Sequence, residues 1–146
     1  MTNGERAEMA TLFEERPHVA EVQDFDPEFM NRTAVKAVVK LMSAWGIGNS
    51  AAALLVGVGD RTWSRMKDGS WAGDLNQDQQ MRISGLVGLY QGLHVYFGSE
   101  LADRWVRMQN KGPLFKGQTP EAVMLHGGLP AILQTRSYVD AIRGGL

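Results

Sequence analysis

The stretch Ser50–Gly69, SAAALLVGVGDRTWSRMKDG, decides the fold. Two short helical patterns meet in it at a glycine turn. The first, Ala51 to Val56, is small and apolar, and the turn is Gly57-Val58-Gly59. The second carries Arg61, Ser64, Arg65 and Asp68 at i, i+3, i+4 and i+7, one polar and basic stripe, with Trp63 and Met66 on the other side. Small residues let two helices cross closely, glycine turns the chain, and the split second helix can bury one face and present the other. This is the pattern of a helix-turn-helix. Asp60 is expected to cap the second helix by accepting from free N–H groups of its first turn. Arg61, Thr62, Ser64, Arg65 and Lys67 are the candidate DNA contacts. Arginine can bond guanine O6 and N7 at two points, and serine or threonine reaches phosphate or base. In the plainer reading, two short helices cross inside a bundle and the basic face is only solvated. The pattern alone leaves both open.

Working outward, Asp26-Pro27 starts a helix: aspartate caps, and proline suits a first turn whose N–H groups have no partner. Phe25 and Met30 are spaced for a hydrophobic staple. Val35, Val38, Val39 and Met42 form one apolar stripe, with Arg32, Lys36 and Lys40 opposite, up to Trp45-Gly46. Asn49 or Ser50 is placed to cap the next helix. Beyond the loop at 69–73, Asn76 and Gln79 form a capping box for a long helix to about Phe97. Its stripe is Ile83, Leu86, Val87, Tyr90, His94 and Phe97. Gly85, Gly88 and Gly92 lie on a nearby face. Each glycine costs a helix about 1 kcal/mol relative to alanine, so another helix should pack very closely there. A contact within the chain is favoured over a self-association face.

Ser99 opens a further helix with Leu101, Trp105 and Met108 inward. Pro113, Leu114 and Phe115 follow in a polar loop, where a lone phenylalanine is by default a plug. Thr119-Pro120-Glu121 starts a short helix ending at Gly127-Gly128. A last helix, 129–143, carries Leu129, Ile132, Leu133, Val139 and Ile142 inward. No stretch alternates as a strand does. The chain reads as all-α, about seven helices. An acidic, mobile arm at 1–25 precedes a helix-turn-helix domain at 26–97 and a small helical domain at 98–146.

Composition bounds the function. The 146 residues have 44% apolar and 21% charged content and no cysteine, which fits a globular chain acting in the cytoplasm. No run approaches the roughly 18 apolar residues of a membrane span, and the N-terminus is not written as a secretory signal. The net charge of −1 is unevenly spread. Residues 1–30 sum to −6 and residues 31–70 to +4, so the positive block coincides with the helix-turn-helix. That patch is modest, and useful DNA binding is expected from a dimer or larger assembly. For catalysis the chain is poor. His18, His94 and His126 have no metal-ligand spacing, and no phosphate loop or paired carboxylates occur. Neither an enzyme, a metal nor a cofactor is expected.

The run Trp105…Asn110…Phe115-Lys116-Gly117-Gln118-Thr119-Pro120, then Gly127-Gly128 and an amphipathic helix, resembles the C-terminal toxin-binding domain of the Xre/MbcA/ParS-like antitoxins. An Xre-like helix-turn-helix stands before it in that family too, and the likeness spans about residues 28–146. The W-x4-N-x6-G-x-T-P spacing is its most specific part. The resemblance implies an antitoxin of a type II toxin–antitoxin system that covers the active site of a RES-domain, NAD-consuming toxin. It also implies DNA-binding autoregulation of the operon and an oligomeric complex. By this likeness Phe115, Thr119, Pro120, Arg136, Tyr138 and Arg143 mark the toxin-binding module. The alternative is a helix-turn-helix repressor whose C-terminal domain serves oligomerisation or ligand sensing.

Overall fold

The computed structural model describes residues 2–6 and 26–144. The expected staple at Phe25 and most of the acidic arm lie outside them. Residues 3–6 form a helical turn. Six helices follow: α1 (Pro27–Trp45), α2 (Asn49–Val56), α3 (Asp60–Asp68), α4 (Gln77–Phe97), α5 (Ser99–Trp105) and α6 (Pro120–Arg143). No strand occurs among the described residues.

The helix boundaries follow local chemistry. The Asp26 carboxylate accepts from the N–H of Glu28 at 3.0 Å, with Pro27 in the first turn. Gly46, Gly57 and Gly69 end α1, α2 and α3 in the left-handed conformation, at φ 70°, 83° and 83°. The capping box of α4 is complete: Asn76 Oδ1 accepts from the N–H of Gln79 at 2.8 Å, and Gln79 Oε1 from that of Asn76 at 3.0 Å. Two caps differ from expectation. Gly48 and Gly59 precede α2 and α3, and neither helix has a side-chain cap, while α5 opens at Ser99 as expected. Asp60 instead lies inside the first turn of α3, where its charge still complements the helix dipole. Asn49 turns its amide oxygen to Trp63 Nε1 (3.3 Å) and Lys67 Nζ (2.8 Å).

α4 lies at the centre. One face, with Ile83, Leu86 and Tyr90, packs in the core with Val38, Leu41 and Trp45 of α1. Leu89 and Leu93, which a single stripe did not predict, are also fully buried. The glycine face is filled by α6. A Cβ on Gly85 would meet Ile132 Cγ2 at 2.8 Å, and one on Gly92 would meet Val139 Cγ1 at 3.2 Å. The glycines thus serve a contact within the chain. α6 is two helical runs separated by a kink at Gly128 (φ 67°, ψ −148°), where the sequence places their boundary. Met108 and Leu133, expected inward, are exposed. α5 has ended before Met108, and Leu133 lies at the edge of the α4–α6 seam beside Gly85.

The N-terminal turn is tied to this frame. Arg6 pairs with Asp103 of α5 at 2.6 Å. His94 Nε2 stands 3.0 Å from the other Asp103 oxygen, close enough for an ion pair but not aligned as a hydrogen bond. Its Nδ1 lies 2.9 Å from the Tyr90 carbonyl. Burial, with the nearby Asp103 charge, pushes the Tyr90 hydroxyl up to about 12.

Candidate functional site

The surface of α3 is divided as its sequence requires. Trp63 and Met66 enter the core; Arg61, Ser64, Arg65, Lys67 and Asp68 are exposed, and Thr62 is half-buried. The packing that orients α3 is therefore confined to its inner side. Its outer side carries three cations. Two anions oppose them, Asp60 and Asp68. The hydroxyl and then the N–H of Ser70 bond to Asp68 and hold its carboxyl below the usual range, so it stays ionised beside Arg65. A cleft of about 630 Å³ separates α3 from the start of α2, lined by Asn49, Ser50, Ser64 and Lys67. The cationic surface is wider than α3 alone. Arg32, Lys36 and Lys40 of α1 line one depression with Lys67 of α3. The sequence shows both basic rows, and the crossing of α1 and α3 brings Lys67 to the α1 row, while Arg61 and Arg65 lie outside this depression.

Arg82 fixes the back of this unit. It pairs with Asp78 at 2.8 Å and donates to the carbonyls of Leu54 (3.2 Å) and Leu55 (3.4 Å). A cation thereby satisfies the free carbonyl end of α2, where the helix dipole favours it. Nothing in the local spacing around Arg82 announces this, since its partners lie 27 and 28 residues away.

In the C-terminal module the marked residues occupy the interior. Phe115 is only 1% exposed. Its ring meets Trp105 edge-on at 5.6 Å and Tyr138 edge-on at 5.1 Å. Trp105 in turn stacks with Phe97 and Tyr138, each at 6.3 Å. The loop beneath this knot is closed by backbone bonds from the Asn110 N–H to the Gln118 carbonyl (3.1 Å) and from the Gly117 N–H to the Asn110 carbonyl (2.8 Å). The Asn110 side chain accepts from the N–H of Gly112 at 2.8 Å. Gly117 sits at φ 87°, which suits a residue without Cβ. Thr119 Oγ1 caps α6 through the N–H of Ala122 at 3.0 Å, and the buried Pro120 occupies its first turn.

Each position of the W-x4-N-x6-G-x-T-P spacing therefore has a structural task. Phe115 and Pro120 are buried in this conformation, where they hold the shape of the module. Tyr138 is half-buried in the aromatic knot. Arg136 lies over Gly88 and donates to the Ser84 carbonyl at 3.3 Å. The exposed Arg143 stands 3.6 Å from Asp140, which also faces Arg136 at 3.8 Å. Arg107, which the sequence offers only as a late cation of the helix opened at Ser99, joins the end of α1 to the start of α6. It donates to the Gly46 carbonyl at 3.1 Å and faces Glu121 at 3.6 Å. Among the described residues no group of three His, Asp or Glu could hold a metal, and no helix is long and apolar enough to cross a membrane.

Residues 24–88 match the family model of the antitoxin Xre-like helix-turn-helix domain. Residues 92–145 match that of the antitoxin Xre/MbcA/ParS C-terminal toxin-binding domain. The two matches meet inside α4 rather than at Gly98. A segment of 74 residues, 50% of this chain, is 35% identical to the uncharacterized protein y4oB of Sinorhizobium fredii. The chain spans about half the length of that relative, 56%.

Proposed function

Because the chain belongs to the Xre/MbcA/ParS antitoxin family, we propose that it silences a RES-domain, NAD-consuming toxin by covering its active site and also represses its own operon. The observation that carries this is the tandem order of two antitoxin modules on one chain, the first with Lys67 of α3 sharing a depression with Arg32, Lys36 and Lys40 of α1. In this reading the C-terminal module is the toxin-facing end. Phe115, Thr119 and Pro120 keep its shape, while Arg136, Arg143 and the exposed edge of Tyr138 meet the toxin. α3 enters the DNA groove with Arg61 and Arg65, and Thr62, Ser64 and Lys67 serve the backbone and flanking bases. The protein acts in the cytoplasm as a non-enzymatic partner, in an oligomeric complex that supplies the second basic surface a modest patch needs.

The test is growth. The neighbouring reading frame is expressed alone and then with this chain. The expected result is arrest alone and growth together, with cellular NAD falling only in the first case. A neighbour that is harmless alone, or an arrest that this chain does not relieve, overturns the antitoxin reading and leaves the repressor.

A further inference from the structure

A second cleft, about 450 Å³ in volume, opens between the first half of α1 and the face of α4, with Arg136 of α6 at its side. Small-molecule sites commonly span roughly 300–1,000 Å³ and combine an apolar lining with a few convergent polar groups. Met30, Ala34, Leu75, Ile83 and Val87 supply the lining here. Leu75, Ile83 and Val87 are buried core residues, so this wall is built by the fold itself. Met30 is 50% exposed, although it is a large apolar side chain at the cleft. Its flexible thioether can adapt to whatever covers it.

The polar end is Arg136. Its guanidinium can enter only because Gly88 has no side chain, since a Cβ there would overlap it. It donates one bond to the Ser84 carbonyl, and the carboxylate of Asp140 stands 3.8 Å away, shared with Arg143. A guanidinium has five N–H donors, so donors remain for a ligand, and a carboxylate is the group that matches them in pairs. Arg136 and Arg143 share the one carboxylate of Asp140, so the three groups leave one net positive charge, which suits a single negative charge. A polyphosphate would need more cations than this wall carries.

We propose that this cleft binds a small apolar monocarboxylate, with its chain against Ile83 and Val87 and its carboxylate on Arg136. The site takes its walls from both matched modules, and it goes beyond the antitoxin reading without depending on it.

The test titrates the full-length, isotope-labelled chain with octanoate, followed by amide NMR, and uses 1-octanol as the uncharged control. Octanoate is expected to bind saturably, with shifts confined to residues around 30–34, 83–88 and 136. Octanol should bind at least about tenfold more weakly, because it lacks the charge that strengthens a hydrogen bond to the guanidinium. Arg136→Gln should reduce octanoate to the level of octanol, and Arg136→Lys should restore part of the difference. Ser84→Trp, placed at an exposed position on the rim, should fill the cleft and abolish both. The same spectra show whether each variant is folded. No saturable shift up to the solubility limit, shifts centred elsewhere, or undiminished octanoate binding by a folded Arg136→Gln variant would overturn the proposal.

Discussion

α3 and the segment from Trp105 to Pro120 carry their signatures on opposite sides of the surface. On α3 the informative residues, Arg61, Ser64 and Arg65, are in solvent, and the helix is held by Trp63 and Met66. Between Trp105 and Pro120 the informative residues face inward. A ring packs, an amide pins a loop, a glycine takes a left-handed turn, and a hydroxyl and a proline start a helix. A motif can thus mark where a partner binds, or it can mark the shape that presents some other surface to the partner. Substitutions separate the two cases because they move different quantities.

The largest effect is expected at Phe115. Phe115→Ala removes the centre of the aromatic knot and should cost about 3–5 kcal/mol of stability, read by urea unfolding; a loss under 1 kcal/mol would mean that the ring is not holding the module. Arg61→Ala with Arg65→Ala should do the reverse. Unfolding should stay within about 0.5 kcal/mol of the parent chain. Binding to the promoter fragment should fall by about 1–3 kcal/mol for each arginine that reads a base, with toxin rescue intact. Full-strength operator binding by the double variant would remove α3 as the reading helix.

Gly85→Ala probes the seam between the two regions. Alanine brings about 1 kcal/mol of helix propensity, while the overlap with Ile132 should cost about 1–3 kcal/mol. A net destabilisation is expected in thermal unfolding, and a stabilised variant would show that α4 and α6 are less tightly held than their geometry requires. The smallest effect belongs to Thr119→Ala, about 1 kcal/mol for a lost cap, with affinity for the toxin unchanged. If affinity fell while stability held, Thr119 would be a contact after all, and the contrast between the regions would weaken.

Much of this was legible in the sequence because it is local. Glycine after an apolar run, Asn76 three residues before Gln79, and threonine before proline each act within one turn, so spacing suffices to find them. The glycines of α4 were legible in a different way, since three in one helix need a neighbour to justify their cost. What escaped depends on distant parts of the chain. A helix at the centre of a bundle is buried on more than one side, so the stripe rule left out Leu89 and Leu93. Arg82 and Arg107 read as ordinary surface charges until α2 and the end of α1 are brought to them. The cap of α3 lies one residue before Asp60, because Gly59 can occupy that position without a side chain. The signature at 105–120 pointed to the correct module, but a spacing pattern does not say which side of a residue faces the solvent.

α4 has a consequence for how the molecule can be divided. Its first turns support α2 and the turn into α3, and its later turns carry the glycine seam, so a cut after Phe97 would strip α6 from Gly85, Gly88 and Gly92. The remaining fragment would expose a furrow of bare backbone and apolar edge to water. Neither half can be lost to a protease, swapped by recombination or trimmed for expression while the other stays sound. The two modules are bound to a shared lifetime.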